Sequence, residues 1–369
     1  MTLDMQRNWA NRPLGMRDVF PQQASRRRQL ENQLLWFFEQ HEFDMVSSGA
    51  FEYLDTLLRG RSVQQAEDWV QLFDSTGKAV ALRPDMTPSI ARMAAPLLAS
   101  GHEEVRWCYA ERIYRRTNDP ASLSWVSGKA AESTQLGVEW IGRNGVKTDA
   151  ELIGLCQNAL TSLQLPNWQM VVSHAGFAPA FLMAHGTPKE GVDVLLRMLT
   201  QGDYVGFRQE CTRFGVPTRL LDELAALNPY QPGSFNSLSG NYVKDSEAAS
   251  NLERAWTSLV DLAKQLQEQH LDEHLSFDLT LYRDLAYYTG IVFEVFTTGV
   301  GAPIALGGRY DDLLAQFGSP SPAIGFTFEI ERLLAVLTDG NWVYSSGNEL
   351  PLSGIGGTNG TQTGTGAEG

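Results

Sequence analysis

Tyr282-Arg-Asp-Leu-Ala-Tyr-Tyr-Thr-Gly-Ile-Val-Phe-Glu294 is the stretch on which the reading of this 369-residue chain turns. From Tyr287 onward its residues fit an extended strand, whose side chains alternate between two faces. Tyr287, Thr289, Ile291, Phe293 and Val295 fall on one largely apolar face, and Tyr288, Gly290, Val292 and Glu294 on the other. Arg283 stands just upstream. Glycine weakens a strand but lets something approach its backbone closely. A ring, a missing side chain and a carboxylate on one face suit the floor of a small polar-ligand pocket. They equally suit a half-buried strand whose Tyr and Glu face water.

Ser133-Thr-Gln-Leu-Gly-Val-Glu-Trp-Ile141 follows the same logic. Leu136, Val138 and Trp140 make an apolar face; Gln135, Gly137 and Glu139 make a polar one. Two such strands side by side would form a polar floor, with Glu139 for an ammonium group and Arg283 for a carboxylate. Each charge-assisted contact contributes roughly 1.5–3 kcal/mol. The alternative is the solvent face of an antiparallel sheet. Gly307-Gly-Arg-Tyr-Asp-Asp-Leu-Leu314 reads as a glycine pair leading into a helix. That arrangement suits either an anion at the helix N-terminus or a tight turn with unusual backbone angles. His270 and His274 have i, i+4 spacing but no third ligand nearby, so a solvated helix face is expected and no metal. No Walker loop, GxGxxG, GxSxG or HExxH motif occurs.

The length suits about two domains, and 43% hydrophobic residues is ordinary for a globular protein. A net charge of −14 disfavours broad nucleic-acid binding; Arg26-Arg27-Arg28 is the one basic run. Three well-separated cysteines, Cys108, Cys156 and Cys211, predict neither a disulfide framework nor a zinc cluster, and a reducing cytoplasm. The N-terminus lacks an apolar signal region, and no 18-residue apolar run suggests a membrane span.

The patterns predict a helix over 25–40 capped by Ser25, a hairpin over 69–83, and a helical segment from Asp85. Strands follow over 105–116 and 132–142, then a helix over 148–164 and a strand over 168–173. Helical periodicity dominates 176–273. Strand character returns at 277–281 and continues to Val295. Residues 345–369, rich in Gly, Thr, Ser and Asn, predict a disordered tail.

Taken together the segments resemble the histidyl-tRNA synthetases, a class II aminoacyl-tRNA synthetase family, over most of the chain to about residue 340. Pro13-Leu-Gly-Met-Arg-Asp18 resembles the N-terminal signature, Phe43 to Glu52 motif 1, and Leu82-Arg-Pro-Asp-Met-Thr87 a Leu-Arg-Pro-Glu-x-Thr segment. Tyr114-Arg115 and Thr134 to Glu139 resemble motif 2. Arg283 to Glu294 and Gly307 to Asp311 resemble the two histidine-specific motifs, and Gly325 to Leu333 motif 3. The resemblance implies an α+β fold, an antiparallel sheet flanked by helices. Residues 1–175 and 274–344 would form the synthetase-like core and 176–273 a helical insertion. It implies a histidine pocket with Asp85, Thr87, Gln135 and Glu139 around the amino group, and Arg283, Tyr287 and Tyr288 opposite. Arg115 and Arg332 match arginines that contact ATP phosphates in the family. A homodimer through motif 1 is also implied.

Departures from the pattern concentrate on the nucleotide and tRNA side. Thr117 replaces a motif 2 Glu that contacts adenine, and Ala131 replaces an Arg. Glu329 replaces a motif 3 Gly, where a carboxylate would crowd a nucleotide and repel its phosphates. Ala286 and Asp284 replace the Asp and Gly of the first histidine motif. Motif 1 lacks its Pro, with Gly49 and Ala50 in that region. The C-terminal anticodon-binding domain is not found. Amino-acid contacts persist while nucleotide and tRNA contacts erode. That combination resembles the regulatory subunits of ATP phosphoribosyltransferase, paralogues of the synthetases without catalysis of their own. The resemblance implies a short-form catalytic partner in a hetero-octamer of four plus four, L-histidine as feedback effector, no cofactor, no tRNA and no membrane. Two further readings stay open: a truncated synthetase that forms histidyl-adenylate, and a histidine sensor for another partner.

Overall fold

The computed structural model describes residues 13, 15–59, 66, 68–116, 131–238, 247–282 and 287–337. Arg283, Asp284, Ala286, Thr117 and the 345–369 tail lie outside the described residues.

Among the described residues the first element is helix α1 (Pro21–Glu39), followed by β1 (Asp44–Met45), β2 (Phe51–Tyr53), α2 (Leu54–Leu58), β3 (Gln71–Phe73), β4 (Ala79–Leu82) and α3 (Thr87–Ala99). Two long strands follow, β5 (Val105–Tyr114) and β6 (Glu132–Ile141), then α4 (Val146–Ser162) and β7 (Trp168–His174). Five helices come next: α5 (Phe177–Ala184), α6 (Lys189–Gln201), α7 (Tyr204–Phe214), α8 (Leu220–Ala226) and α9 (Glu247–Glu268). The chain returns through β8 (Leu275–Phe277), β9 (Ile291–Thr297), β10 (Ala305–Arg309), β11 (Ala323–Glu329) and α10 (Ile330–Val336).

Eight strands form one sheet in the order β1-β5-β6-β11-β10-β9-β7-β8. The outermost pairs, β1 with β5 and β7 with β8, are parallel; the rest are antiparallel. The α+β architecture follows from alternation within these strands. Leu136 and Val138 of β6, Phe293 of β9 and Phe326 and Phe328 of β11 turn to one face. There they meet Leu30, Leu34 and Phe38 of α1 and Ile153, Cys156 and Leu160 of α4. Burying each such side chain contributes roughly 1.5–3 kcal/mol. The opposite face carries Tyr109, Tyr287 and Tyr310 under Met86 and Ile90. Helices α5 to α9 gather a separate cluster around Phe177, Phe181, Leu195, Phe207 and Leu259.

Several local expectations shift. Helix α1 begins at Pro21, with Phe20 rather than Ser25 at the capping position; proline suits the first turn because it needs no N–H partner. Strand character at 277–281 stops at Phe277, because Asp278 accepts hydrogen bonds from the Thr280 amide (2.9 Å) and hydroxyl (2.6 Å) and turns the chain. The alternation read from Tyr287 becomes a strand only at Ile291. Gly307 and Gly308 lie inside β10, not at a helix start. A Cβ on Gly307 would stand 2.6 Å from the Gly325 carbonyl, and one on Gly308 2.8 Å from the Tyr288 ring. Close approach therefore requires both glycines, and the helix N-terminal anion site is absent there. His270 and His274 follow α9 rather than lie on it. His270 adopts φ of 57°, and the His274 ring packs tilted against Trp168, with 4.5 Å between ring centroids. All three cysteines are buried and unpaired. Among the described residues, no helix is long and apolar enough to cross a membrane.

Arg309, at the end of β10, ties the sheet to α4. Its Nε donates to Asp149 Oδ1 at 2.8 Å and its Nη1 to Asp311 Oδ1 at 2.9 Å. The Arg309 and Asp149 side chains are 6% and 7% exposed. Removing one member of a buried pair strands the other charge, at a cost of roughly 3–5 kcal/mol. Asp149→Ala is therefore expected to lower stability by about that amount in urea unfolding. The double change Asp149→Leu with Arg309→Met should cost less, because both buried charges leave together and the partner lost by Asp311 is lost at a partly exposed site.

Candidate ligand pocket

The polar faces of β6 and β11 meet in register. Gln135 pairs with Glu329, Gly137 with Thr327 and Glu139 with Gly325. Tyr109 of β5 lies opposite Gly137, and Leu306 of β10 opposite Thr327. All of these except Gly137 line a cavity of about 300 Å³. Its walls come from the segment entering α3 (Asp85, Thr87), from Tyr287 and Tyr288, from Tyr310, and from Arg115 and Arg332.

Gln135 and Glu139 are 2% and 1% exposed, so the solvent-face alternative for this strand fails. The two polar strands singled out in the sequence are not neighbours: β11 and β10 stand between β6 and β9. Those intervening strands supply Gly325, Thr327, Glu329 and Leu306 to the cavity. Glu294 is buried but does not line it. Tyr287, read on the apolar face, lines the cavity beside Tyr288, because both precede the regular strand.

Glu139 is the centre of the acidic end. Its Oε1 accepts from Thr87 Oγ1 at 2.9 Å and from Tyr109 Oη at 3.4 Å. Its Oε2 accepts from Tyr310 Oη at 2.5 Å. A Cβ on Gly325 would collide with Glu139 Oε2, so only glycine leaves the carboxyl group this position. Asp85 accepts from Tyr287 Oη at 2.8 Å. Gln135 accepts from the Met86 amide at 3.1 Å and donates to Glu329 Oε1 at 3.5 Å. Burial pushes the Glu139 carboxyl up to about 8, against the hydrogen bonds from Tyr310 and Thr87. The neighbouring Asp85 charge pushes the same way as burial. Tyr109 and Tyr310 are raised too, first by burial and then by Glu139.

Arg115 and Arg332 line the same cavity as Glu329. The Arg115 amide donates to the Ala131 carbonyl at 2.9 Å, and Arg332 Nη1 donates to the Pro303 carbonyl. Of the residues expected at the site, Asp85, Thr87, Gln135, Glu139, Tyr287, Tyr288, Arg115 and Arg332 come together in one cavity. Arg283 lies outside the described residues. Tyr109 and Tyr310 are site residues beyond those expected from the sequence. Tyr310 sits within the quoted Gly307–Asp311 segment, so its signal was present; Tyr109 announces itself only through the β5–β6 register.

A family profile described as histidyl-tRNA synthetase matches residues 15–333. ATP phosphoribosyltransferase regulatory subunits from Shouchella clausii and Bacillus subtilis are 34% and 32% identical to this chain. The matches cover 87% and 88% of the chain, and 79% and 81% of those proteins. The chain belongs to this family of regulatory subunits with a histidyl-tRNA synthetase-like fold. A solved histidine–tRNA ligase subunit from Alicyclobacillus acidocaldarius is 45% identical, with a TM-score of 0.81 over 89% of this chain and 97% of its own. A Bacillus halodurans structure described as an ATP phosphoribosyltransferase regulatory subunit/histidyl-tRNA synthetase is 30% identical, with a TM-score of 0.76 over 89% and 83%. The Nostoc histidyl-tRNA synthetase, 16% identical with a TM-score of 0.71, shares the fold.

The raised Glu139 carboxyl has a consequence for stability in this family member. The folded state holds that proton up to about pH 8, whereas an ordinary Glu releases it near 4.5. Its contribution is complete below pH 4.5 and is lost as pH rises through 8. Glu139→Gln should flatten this decline, by of order 1 kcal/mol per pH unit. Denaturant midpoints of the two proteins across pH provide the check; parallel curves would contradict it.

Proposed function

We propose that the chain is the non-catalytic regulatory subunit of ATP phosphoribosyltransferase. In this reading it works with a short-form catalytic subunit in the first step of histidine biosynthesis, a glycosyl transfer from phosphoribosyl pyrophosphate to ATP. It activates that partner and transmits feedback inhibition by L-histidine. The observation that carries the reading is Glu329. Its buried carboxylate occupies the cavity that also holds Arg115 and Arg332, on the strand face shared with Gly325. A nucleotide's phosphates would meet a like charge in a site of low dielectric. The acidic end keeps what a small amino acid needs: Asp85, Thr87, Gln135, Glu139, Tyr287 and Tyr288, with Arg283 assigned to the ligand carboxylate. Binding without consuming the ligand suits a sensor, which needs a coupling free energy of typically 1–3 kcal/mol between two sites.

Other parts of the reading follow. Residues 1–175 and 274–344 form the ligand-binding core and 176–273 an insertion upon it. Phe51, Tyr53 and Leu72 make an exposed apolar face on the small sheet β2-β4-β3, which supports self-association through motif 1. The catalytic partner joins in a hetero-octamer of four plus four, in a cytoplasmic setting that suits three buried thiols. A second reading, a synthetase forming histidyl-adenylate, draws support from Arg115 and Arg332 in the cavity and from the Alicyclobacillus ligase subunit.

Histidine-dependent ATP–pyrophosphate exchange separates the two. The purified chain is expected to show none above background, and robust exchange would favour the synthetase. By calorimetry, Glu139→Ala and Arg283→Ala should each weaken L-histidine binding at least about tenfold, or roughly 1.4 kcal/mol. Unchanged affinity would place the effector elsewhere.

A further inference from the structure

The surroundings of Glu139 are uniform in kind. Its three hydrogen-bond partners, Thr87, Tyr109 and Tyr310, are neutral hydroxyls. Among the described residues no Lys, Arg or His pairs with it, and the acid in its field is Asp85. The group is 1% exposed, and the β11 face against it presents Gly325. Tyr287 and Tyr288 close the same end. The other charged groups of the cavity, Arg115, Arg332 and Glu329, share its lining but form no ion pair with Glu139. A carboxylate here is almost fully buried, has no cation beside it among the described residues, and has a second acid nearby. The neutral acid is the form that such a site favours. A cationic ligand group reverses the balance by supplying the missing charge.

We infer that Glu139 holds a proton in the empty pocket and releases it to solvent when the ammonium group of an amino-acid ligand enters, so that effector binding is proton-linked. The inference rests on the assignment of this pocket to L-histidine. Charge balances locally at Glu139: one proton leaves the carboxyl group as one ammonium group arrives beside it. Thr87, Tyr109 and Tyr310 then donate to an ionised carboxylate, which accepts stronger hydrogen bonds than a neutral acid. The position of the Glu139 carboxyl near 8 sets the range in which the exchange is visible.

Calorimetry of L-histidine binding to the full chain tests this, in phosphate and in Tris, from about pH 7 to about pH 8.5. The apparent enthalpies in the two buffers should differ in proportion to buffer ionisation. Near pH 7 the difference should correspond to close to one proton released per histidine, declining above pH 8. Below that point the association constant should rise about tenfold per pH unit. Tyr310→Phe removes a donor that favours the ionised form, so it should shift the release profile to higher pH. Measurable binding with buffer-independent enthalpy overturns the proton linkage and leaves the pocket assignment standing. A profile that Tyr310→Phe does not move would place the proton on another group. Absence of any binding heat would overturn both the linkage and the assignment.

Discussion

A carboxyl group buried in the floor of a sheet must be hydrogen-bonded or paired, or remain neutral. In this protein that demand falls on Glu139, and much of the local architecture answers it. The β6–β11 register sets Gly325 opposite Glu139, and the missing Cβ makes room for its oxygens. Helix α3 begins where its first residue, Thr87, reaches Oε1, and the chain leaving β10 brings Tyr310 to Oε2. Three elements distant in sequence converge on two oxygen atoms. Their hydroxyls contribute when the group is charged, roughly 1.5–3 kcal/mol each for hydrogen bonds to an ion.

The opposite end of the cavity follows a different logic. Arg115 and Arg332 remain, yet Glu329 shares their space and hydrogen-bonds with Gln135 on the neighbouring strand. The position of an acid there changes what the cavity can accept more than it changes the fold. On the proposed function a fold shared with the synthetases serves binding alone, because the backbone that builds the sheet is independent of the charge lining it. Arg309 illustrates the separation. It lies within a histidine-motif segment, but its guanidinium is engaged by Asp149 and Asp311, which anchor helix α4 to the sheet.

Much of this is legible in the sequence, and for an identifiable reason. Period-two alternation is local, so Gln135 and Glu139 could be assigned to one face of β6 from sequence, as could Ile291, Phe293 and Val295 to the core face of β9. Strand order is not local. Nothing in the sequence of β6 or β9 says that β11 and β10 lie between them, so the floor was drawn from the wrong pair. Ala323–Glu329 carries the same alternation, Ile324, Phe326 and Phe328 against Gly325, Thr327 and Glu329. Its polar face was visible, but its partner was not. Tyr287 was misplaced because a turn precedes the strand, which breaks the parity that the reading extended backward.

The central claim is that a synthetase-like pocket has become a sensor for a partner enzyme. The most direct test mixes the purified chain with a short-form ATP phosphoribosyltransferase catalytic subunit and follows turnover with and without L-histidine. The account predicts that the chain raises turnover and that histidine then suppresses it. Turnover and histidine sensitivity that do not change on adding the chain would contradict it.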